Sequence, residues 1–221
     1  MMPNSDTQLK TYISYLDKFD REGTVAYALS LLKDGGISIP ILYEQVLAPA
    51  LNRIVIPRCD ETCMIWKEHM MSHIVRTTME AVYPYILQER EKAGNKNRNK
   101  LVVLASPQEE YHEIGIRMGS DFFTMLGYNV AYIGCNTPKD TLLDAVKTMK
   151  PEIVCISVTN YLNLAQLPAL VGEMKKLSPA PAVYLSGSAL KHTGKQAEDF
   201  GADGILTSYA SVKALSEGES L

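Results

Sequence analysis

The chain has 221 residues, which suits one large domain or two small ones, and its 46% of hydrophobic residues is enough to form buried cores. Lys and Arg total 22 against 25 Asp and Glu, and the resulting net charge of -3 argues against a free-standing nucleic-acid-binding protein. Because the sequence has neither an apolar signal core nor a membrane-length apolar run, we predict a cytoplasmic protein without membrane association.

Helical periodicity dominates residues 1–92. Four amphipathic segments follow one another there: TQLKTYISYLDKF, REGTVAYALSLLKDG, IPILYEQVLAPALNRIV and ETCMIWKEHMMSHIVRTTMEAVYPYILQER. Gly35, Gly36, Pro40 and Pro57 mark the limits of the second and third segments. The pattern predicts a four-helix bundle.

A polar segment follows the bundle. REKAGNKNRNK, residues 90–100, holds five basic residues, one acidic residue and no large apolar residue. This composition is typical of a solvated linker, which we place at residues 93–100. The alternative use of its positive charge is contact with an anionic partner.

From residue 101 onward the pattern alternates between strands and helices. Short apolar runs predict five strands: LVVLASP, YNVAYIG, EIVCISVT, AVYLSGS and DGILTS. The stretches between them are amphipathic and long enough for helices. We therefore predict an α/β domain over residues 101–221, with a five-stranded parallel sheet wrapped by helices on both faces.

Polar and small residues follow three of the predicted strands. In such sheets ligands bind at the carboxyl ends of the strands, beside the switch in strand order. His112 comes a few residues after the first strand. The third and fourth strands end in Ser157, Thr159, Asn160, Ser186, Gly187 and Ser188.

His112 has three possible roles. A neutral imidazole is a good transition-metal ligand, and Glu110 is placed to fix its tautomer, with Ser157 extending the hydrogen-bond chain. Alternatively, His112 is a surface residue that caps the following helix. A catalytic histidine of a hydrolase is the third possibility, but no GxSxG elbow accompanies it.

The sequence also lacks a GxGxxG and a phosphate loop, which argues against a dinucleotide or nucleoside triphosphate site.

The cysteines are scattered without a CxxC motif. We interpret them as reduced, buried small residues, with a zinc or disulfide role as the alternative. The four are Cys59, Cys63, Cys135 and Cys155.

The last bundle segment carries further candidate ligands. His69 and His73 are four residues apart, beside Glu68, so one helical face could bind Zn or Fe; a third ligand is not evident, and the pattern is not HExxH. The same segment is rich in methionines, which suit either a core or the lining of a broad apolar ligand. These methionines are Met64, Met70, Met71 and Met79.

The stretch EYHEIGIRMGSDFFTMLGYNVAYIGCNTP, together with CISVT and LSGSAL, resembles the family of cobalamin-binding domains. The hallmark of that family is Asp-x-His-x-x-Gly, then Ser-x-Leu or Ser-x-Thr, then Gly-Gly. The resemblance implies a flavodoxin-like domain that binds cobalamin base-off, with His112 as the lower axial cobalt ligand and the nucleotide tail between the third and fourth strands. The matching residues are Glu110, His112, Gly115, Ser157, Thr159, Ser186 and Gly187.

The helical half resembles the cap over the corrin in methyl-transfer corrinoid proteins and in cobalamin-dependent, light-sensing regulators of the MerR type. The regulators carry a Glu-His pair on the last cap helix, which implies that Glu68 and His69 contact the upper face of the cofactor. Three features depart from the family patterns. Ser186 replaces a glycine, Glu110 replaces an aspartate, and the tryptophan of the regulators has no counterpart, since Arg58 and Cys59 stand in that region.

Three functions follow from the resemblance. The first is a non-enzymatic, cobalamin-binding sensor or regulatory module. No DNA-binding helix-turn-helix segment precedes the bundle, so we expect no direct nucleic-acid binding and an output through a protein partner or a homo-oligomer. The second is the corrinoid methyl-carrier subunit of a cobalamin-dependent methyltransferase system. The third is a domain that retains the fold and has lost the cofactor.

Overall fold

The computed structural model divides the chain into two compact units, Met1–Gln88 and Glu89–Leu221. No helix among the described residues is long and apolar enough to cross a bilayer. The side chains of residues 61–64 are outside the description. The structure describes residues 5–33, 36–53, 61–94, 96–191 and 193–218.

The described part of the first unit is helical, which confirms the predicted helical N-terminal region. Segments α3, π and α4 follow without a break and together form the third predicted helix, whereas the predicted helix limits at Gly35 and Pro57 lie outside the described residues. The last turn of α5 extends into the second unit. The elements are α1 (Ser5–Leu16), α2 (Arg21–Leu32), α3 (Ile39–Ile41), a π-helical segment (Leu42–Leu47), α4 (Ala48–Asn52) and α5 (Glu61–Ala93).

Side-chain caps and a buried interior define these helices. The Asp20 carboxylate accepts a hydrogen bond from Gly23 N at 2.8 Å at the start of α2. Inside the unit, the Tyr12 and Thr78 hydroxyls lie 3.2 Å apart and link α1 to α5. Both side chains are fully buried, so this polar pair belongs to the core of the unit. Apolar residues that share this core include Leu16, Ala28, Leu42, Tyr43, Val46, Leu47, Val75, Met79, Val82 and Ile86.

The segment predicted as a linker is only partly solvated. Helix α5 ends at Ala93. Asn97 is 2% exposed, and its Nδ2 donates a hydrogen bond to Leu126 O at 3.0 Å. Burial of this amide ties the segment to the second unit.

The second unit is the predicted α/β domain. The segment between β3 and α8 is a 3₁₀-helix (Tyr161–Gln166), and a second 3₁₀-helix (Ala197–Phe200) precedes β5. The other elements are β1 (Leu101–Pro107), α6 (Ile114–Met125), β2 (Asn129–Thr137), α7 (Lys139–Met149), β3 (Ile153–Ser157), α8 (Leu167–Lys175), β4 (Ala182–Ser186), α9 (Ser188–Lys191), β5 (Gly204–Ile205) and α10 (Tyr209–Glu217).

The five strands form one parallel sheet in the order β2-β1-β3-β4-β5. Side chains of β1 alternate between its faces, as a strand requires. Val103 and Ala105 share a core with residues of α7 and α8, whereas Leu104 approaches Gly119 of α6. Helices therefore cover both faces, as predicted. The strand order reverses between β1 and β3, and the loops after these two strands flank the switch point where such sheets bind ligands.

Candidate functional site

Glu110 and His112 form a hydrogen-bonded pair in the loop after β1. Glu110 Oε1 lies 2.5 Å from His112 Nδ1 and also accepts a bond from His112 N at 3.3 Å. The Glu110 side chain is 1% exposed and the His112 side chain 64% exposed. A carboxylate at Nδ1 favours the tautomer that carries its proton there, so Nε2 keeps its lone pair. The pair thus places a metal-binding nitrogen on an exposed ring.

The second carboxylate oxygen of Glu110 reaches the loop after β3. Oε2 accepts hydrogen bonds from Thr159 N at 2.8 Å and from Asn160 N at 2.7 Å. Two backbone N–H groups, and not the predicted Ser157 hydroxyl, extend the hydrogen-bond chain from Glu110. One buried carboxylate therefore joins the loops on either side of the switch point.

The hydrogen bonds at Glu110 also control its charge. Burial by itself raises the pKa of the carboxyl group. The bonds donated to it, with that from Asn160 N having the largest effect, outweigh burial and lower the pKa from its usual value. Glu110 is therefore held as a carboxylate, the form that accepts a proton-bearing Nδ1.

His112 does not cap the helix that follows it. Helix α6 begins at Ile114, and Glu113 in the N-cap position makes no side-chain capping bond. His112 lies outside the helix, so the alternative of a capping histidine is wrong. Gly115, in the first turn of α6, is exposed, and a Cβ added to it has no protein atom within 4 Å. Nothing in the described chain requires glycine at this position.

The end of β4 approaches β3 more closely than a side chain allows. Gly187 has a φ of 106°, and a Cβ added to it would lie 2.1 Å from Val158 O. Val158 N donates to Ser186 O at 2.8 Å, which fixes this approach. Glycine is required at 187 because of the backbone of the chain itself.

Ser186 and Ser157 are paired neighbours on β4 and β3. The Ser186 Oγ accepts a weak hydrogen bond from Cys155 Sγ at 3.7 Å. The Ser186 side chain, which stands where the family has a glycine, therefore has a hydrogen-bond partner within the sheet. The motif residues at the ends of β3 and β4 are adjacent, as predicted.

Two cysteines are described, and both are free thiols. Cys155 is buried, and burial raises the pKa of its thiol to about 11 against the opposing effect of the Ser186 hydrogen bond. Burial likewise raises the pKa of Cys135. Cys155 matches the predicted buried cysteine, whereas Cys135 is only partly buried. Cys59 and the side chain of Cys63 lie outside the described residues.

Helix α5 presents the second predicted pair. His69 Nε2 lies 3.7 Å from Glu68 Oε2, and the two side chains are 72% and 37% exposed. Ser72 Oγ donates to Glu68 Oε1 at 2.5 Å. No group of three metal-ligating side chains occurs in the described residues, so the alternative of a zinc or iron site with His73 has no support there.

The methionines of α5 differ in exposure. Met71 and Met79 are buried in the core of the first unit, whereas Met70 is 42% exposed. Trp66 is also half-exposed, and its ring centroid lies 5.7 Å from that of Phe19. The side chain of Met64 and the region of Arg58 and Cys59 lie outside the description.

Two further residues at this edge of the sheet, Asn136 and Glu109, belong to none of the predicted motifs. Asn136, at the end of β2, accepts a hydrogen bond from Glu109 N in the loop that carries His112. An asparagine just before Thr137 and Pro138 at a strand end was the available signal, because asparagine tolerates the left-handed conformation of tight turns.

Comparison with known proteins gives three findings. The family model of the B12 binding domain matches residues 100–213, more than half of the chain. The HTH-type transcriptional repressor CarH of Myxococcus xanthus is 24% identical over 150 residues, which are 67% of this chain and 48% of that protein, so the match spans about half of its length. The Methanosarcina barkeri monomethylamine corrinoid protein superposes with a TM-score of 0.78 at 15% identity, covering 97% of this chain and 100% of that chain, and shows the same fold.

Proposed function

Because the chain belongs to the family of B12-binding domains, whose cofactor is cobalamin, we propose that His112 Nε2 is the cobalt ligand supplied by the α/β unit. In this base-off/His-on mode, His112 takes the place of the cofactor's own base. The observation that carries the proposal is the Glu110–His112 hydrogen bond of 2.5 Å, with Glu110 buried and the imidazole exposed.

The chemistry of the donors fits cobalamin. A hydrogen-bonded carboxylate fixes the imidazole tautomer and raises its basicity, as outer partners of metal-bound histidines do. The surface at the start of α6 is also open, because Gly115 is exposed and a Cβ added there has no protein atom within 4 Å. Cobalamin supplies a cobalt centre with an exchangeable upper ligand. In our proposal Thr159, Ser186 and the neighbouring Gly187 border the nucleotide tail.

A spectroscopic titration tests the lower ligand. Purified apo-protein is titrated with hydroxocobalamin, and we expect a base-off/His-on absorption spectrum for the wild-type chain. His112→Ala removes an exposed side chain, so the fold should persist while the His-on spectrum is lost. His73→Ala, an exposed histidine of α5, is the matched control and should retain the wild-type spectrum. The same spectrum and affinity in His112→Ala would refute the assignment.

The proposed output is regulatory. A sequence relative, CarH, is a transcriptional repressor, and the Glu68–His69 pair matches the pair expected of light-sensing regulators. In this proposal, α5 discriminates the upper ligand of the cofactor, and a protein partner or a second copy of the chain responds. The alternative is a methyl carrier, which the similarity in fold to a monomethylamine corrinoid protein favours.

Upper-ligand preference separates the two outputs. Affinities for adenosyl-, methyl- and hydroxocobalamin are measured in the dark and after illumination, with oligomeric state followed by light scattering. A sensor should prefer one form and change its oligomeric state with it. Comparable affinities and an unchanged oligomeric state would favour the carrier.

A further inference from the structure

Two exposed residues next to the histidine loop have unusual backbone conformations. Glu109 has a φ of 63° and Asn136 a φ of 52°. Residues other than glycine rarely adopt such values, and those that do so near a ligand site are held by their surroundings. Only two more such residues occur in the described chain: Lys150, the C-cap of α7, and Phe19, which follows α1.

Two hydrogen bonds join Asn136 to Glu109 and Glu110 in the histidine loop. Glu109 N donates to Asn136 Oδ1 at 2.9 Å, and Asn136 N donates to Glu110 O at 2.9 Å. These bonds connect the end of β2 to the loop that follows β1. They hold the backbone of Glu110, two residues before His112.

An irregularity in the sheet brings Asn136 to this place. The pairing of β1 with β2 shifts in register between Leu104 and Pro107, and Gly134 in β2 has a φ of 110°. Register shifts of this kind redirect side chains and are common beside functional sites. As a result, the side-chain amide of Asn136 lies opposite the histidine loop and bonds to Glu109.

The loop is then anchored on two sides. The carboxylate of Glu110 is bonded to the loop after β3, and its carbonyl is bonded to Asn136 at the end of β2. Because the His112 ring is bonded to that carboxylate, the position of Glu110 sets the position of the ring. The anchor at β2 is Asn136, which is not one of the residues that match the family motifs.

We propose that Asn136 is a positioning residue for His112: its side-chain amide and its left-handed backbone hold the loop so that the imidazole presents Nε2 to cobalt. The proposal rests on the proposed role of His112 as the lower ligand. Asn136 is exposed, so its replacement removes no core contact.

Two substitutions separate the side chain from the backbone. Asn136→Gly retains the left-handed conformation and removes the acceptor for Glu109 N. Asn136→Asp retains an acceptor oxygen in a residue that also tolerates this conformation. Both variants should fold, which thermal unfolding checks.

The first readout needs no cofactor. Long-range ¹H–¹⁵N spectra of apo-protein report the His112 tautomer, and His112→Ala assigns the signals. We expect the Nδ1-protonated form in the wild type and in Asn136→Asp, and a mixture of tautomers in Asn136→Gly. A wild-type tautomer in Asn136→Gly would overturn the proposal.

The second readout is hydroxocobalamin binding. We expect Asn136→Gly to weaken the affinity about ten-fold or more, the range found for outer partners of metal ligands, and Asn136→Asp to restore it. A wild-type chain without a His-on spectrum would refute the role of His112 itself. A wild-type chain with that spectrum, and an Asn136→Gly variant of equal affinity, would refute only the role of Asn136.

Discussion

Two histidine–glutamate pairs lie among the described residues, and they differ in distance, burial and hydrogen-bond partners. Glu110 and His112 lie 2.5 Å apart, and the carboxylate is buried and bonded to a second loop. Glu68 and His69 lie 3.7 Å apart on the exposed side of α5. Four hydrogen bonds hold the carboxylate of the first pair, whereas the second pair is more exposed and its carboxylate is bonded to Ser72 of the same helix.

The difference shows that proximity in sequence does not by itself create a site. Glu110 is fixed because strand ends converge on it, and backbone N–H groups from another loop bond its carboxylate. Within the described part of the chain, the further partner of Glu68 is Ser72 of the same helix, which donates to it. A site on strand ends is therefore rigid, and a site on one helix face is adaptable.

The largest expected effect tests the rigidity of the strand ends. Gly187→Ala should lower the free energy of unfolding by more than about 4 kcal/mol or prevent folding, because the added Cβ overlaps Val158 O. Gly134→Ala is the matched control, since Gly134 has nearly the same φ but open space around it, and should lose about 1 to 3 kcal/mol. Urea denaturation of both variants measures the difference. Equal losses would mean that the approach of β3 and β4 is not tight.

The next effect contrasts the two carboxylates directly. Glu110→Ala should destabilise the chain by about 3 kcal/mol, because two backbone donors lose their acceptor. Glu110→Gln keeps an acceptor oxygen and should lose less. Glu68→Ala should change the free energy of unfolding by no more than about 0.5 kcal/mol. Similar losses for the two alanine variants, measured by urea denaturation, would contradict the comparison.

A smaller effect is expected from removing a tyrosine hydroxyl in the helical unit, and it should depend on whether that hydroxyl is buried. Thr78 Oγ1 donates to Ile74 O, so it accepts the hydrogen bond of Tyr12. Tyr12→Phe therefore removes one buried hydrogen bond and should lower the free energy of unfolding by about 1 kcal/mol. Tyr83→Phe, at an exposed position of α5, should have no measurable effect. Equal changes for the two variants in thermal unfolding would mean that burial does not determine how much a polar contact contributes to stability.

The smallest effect on stability is expected at His69. His69→Ala should leave the free energy of unfolding within about 0.5 kcal/mol of the wild type, because the side chain is exposed. We expect His69→Ala to alter cobalamin preference. The ratio of adenosyl- to methylcobalamin affinity should change more than the overall affinity for cobalamin. Titration with each form measures this ratio. Unchanged ratios would argue against a role of the α5 pair at the upper face.

Much of the fold was predictable because its signals are local. Continuous apolar runs identified the strands that are buried on both faces, and their ends placed Ser157 and Ser186 at one edge of the sheet. The position of His112 outside the helix after β1 was less predictable. His112 N bonds to the Glu110 side chain, and such local bonds compete with helix formation.

Other features depend on contacts that periodicity does not reveal. The π-helical segment has a bond from Ala48 N to Tyr43 O, five residues back, just before Pro49, which has no N–H to continue an α-helical pattern. The donors to the second oxygen of Glu110 come from 49 and 50 residues away, and no spacing rule predicts them.

The hydrogen bonds of Glu110 also determine what it cannot do. An ionised carboxylate has about four lone-pair sites. Glu110 receives four donors: the ring and backbone nitrogens of His112, and the backbone N–H groups of Thr159 and Asn160. Its acceptor valence is thereby filled, so the oxygen atoms can neither coordinate a metal nor take up a substrate proton while these bonds persist. Within the Glu110–His112 pair, metal coordination is therefore left to the imidazole Nε2 alone.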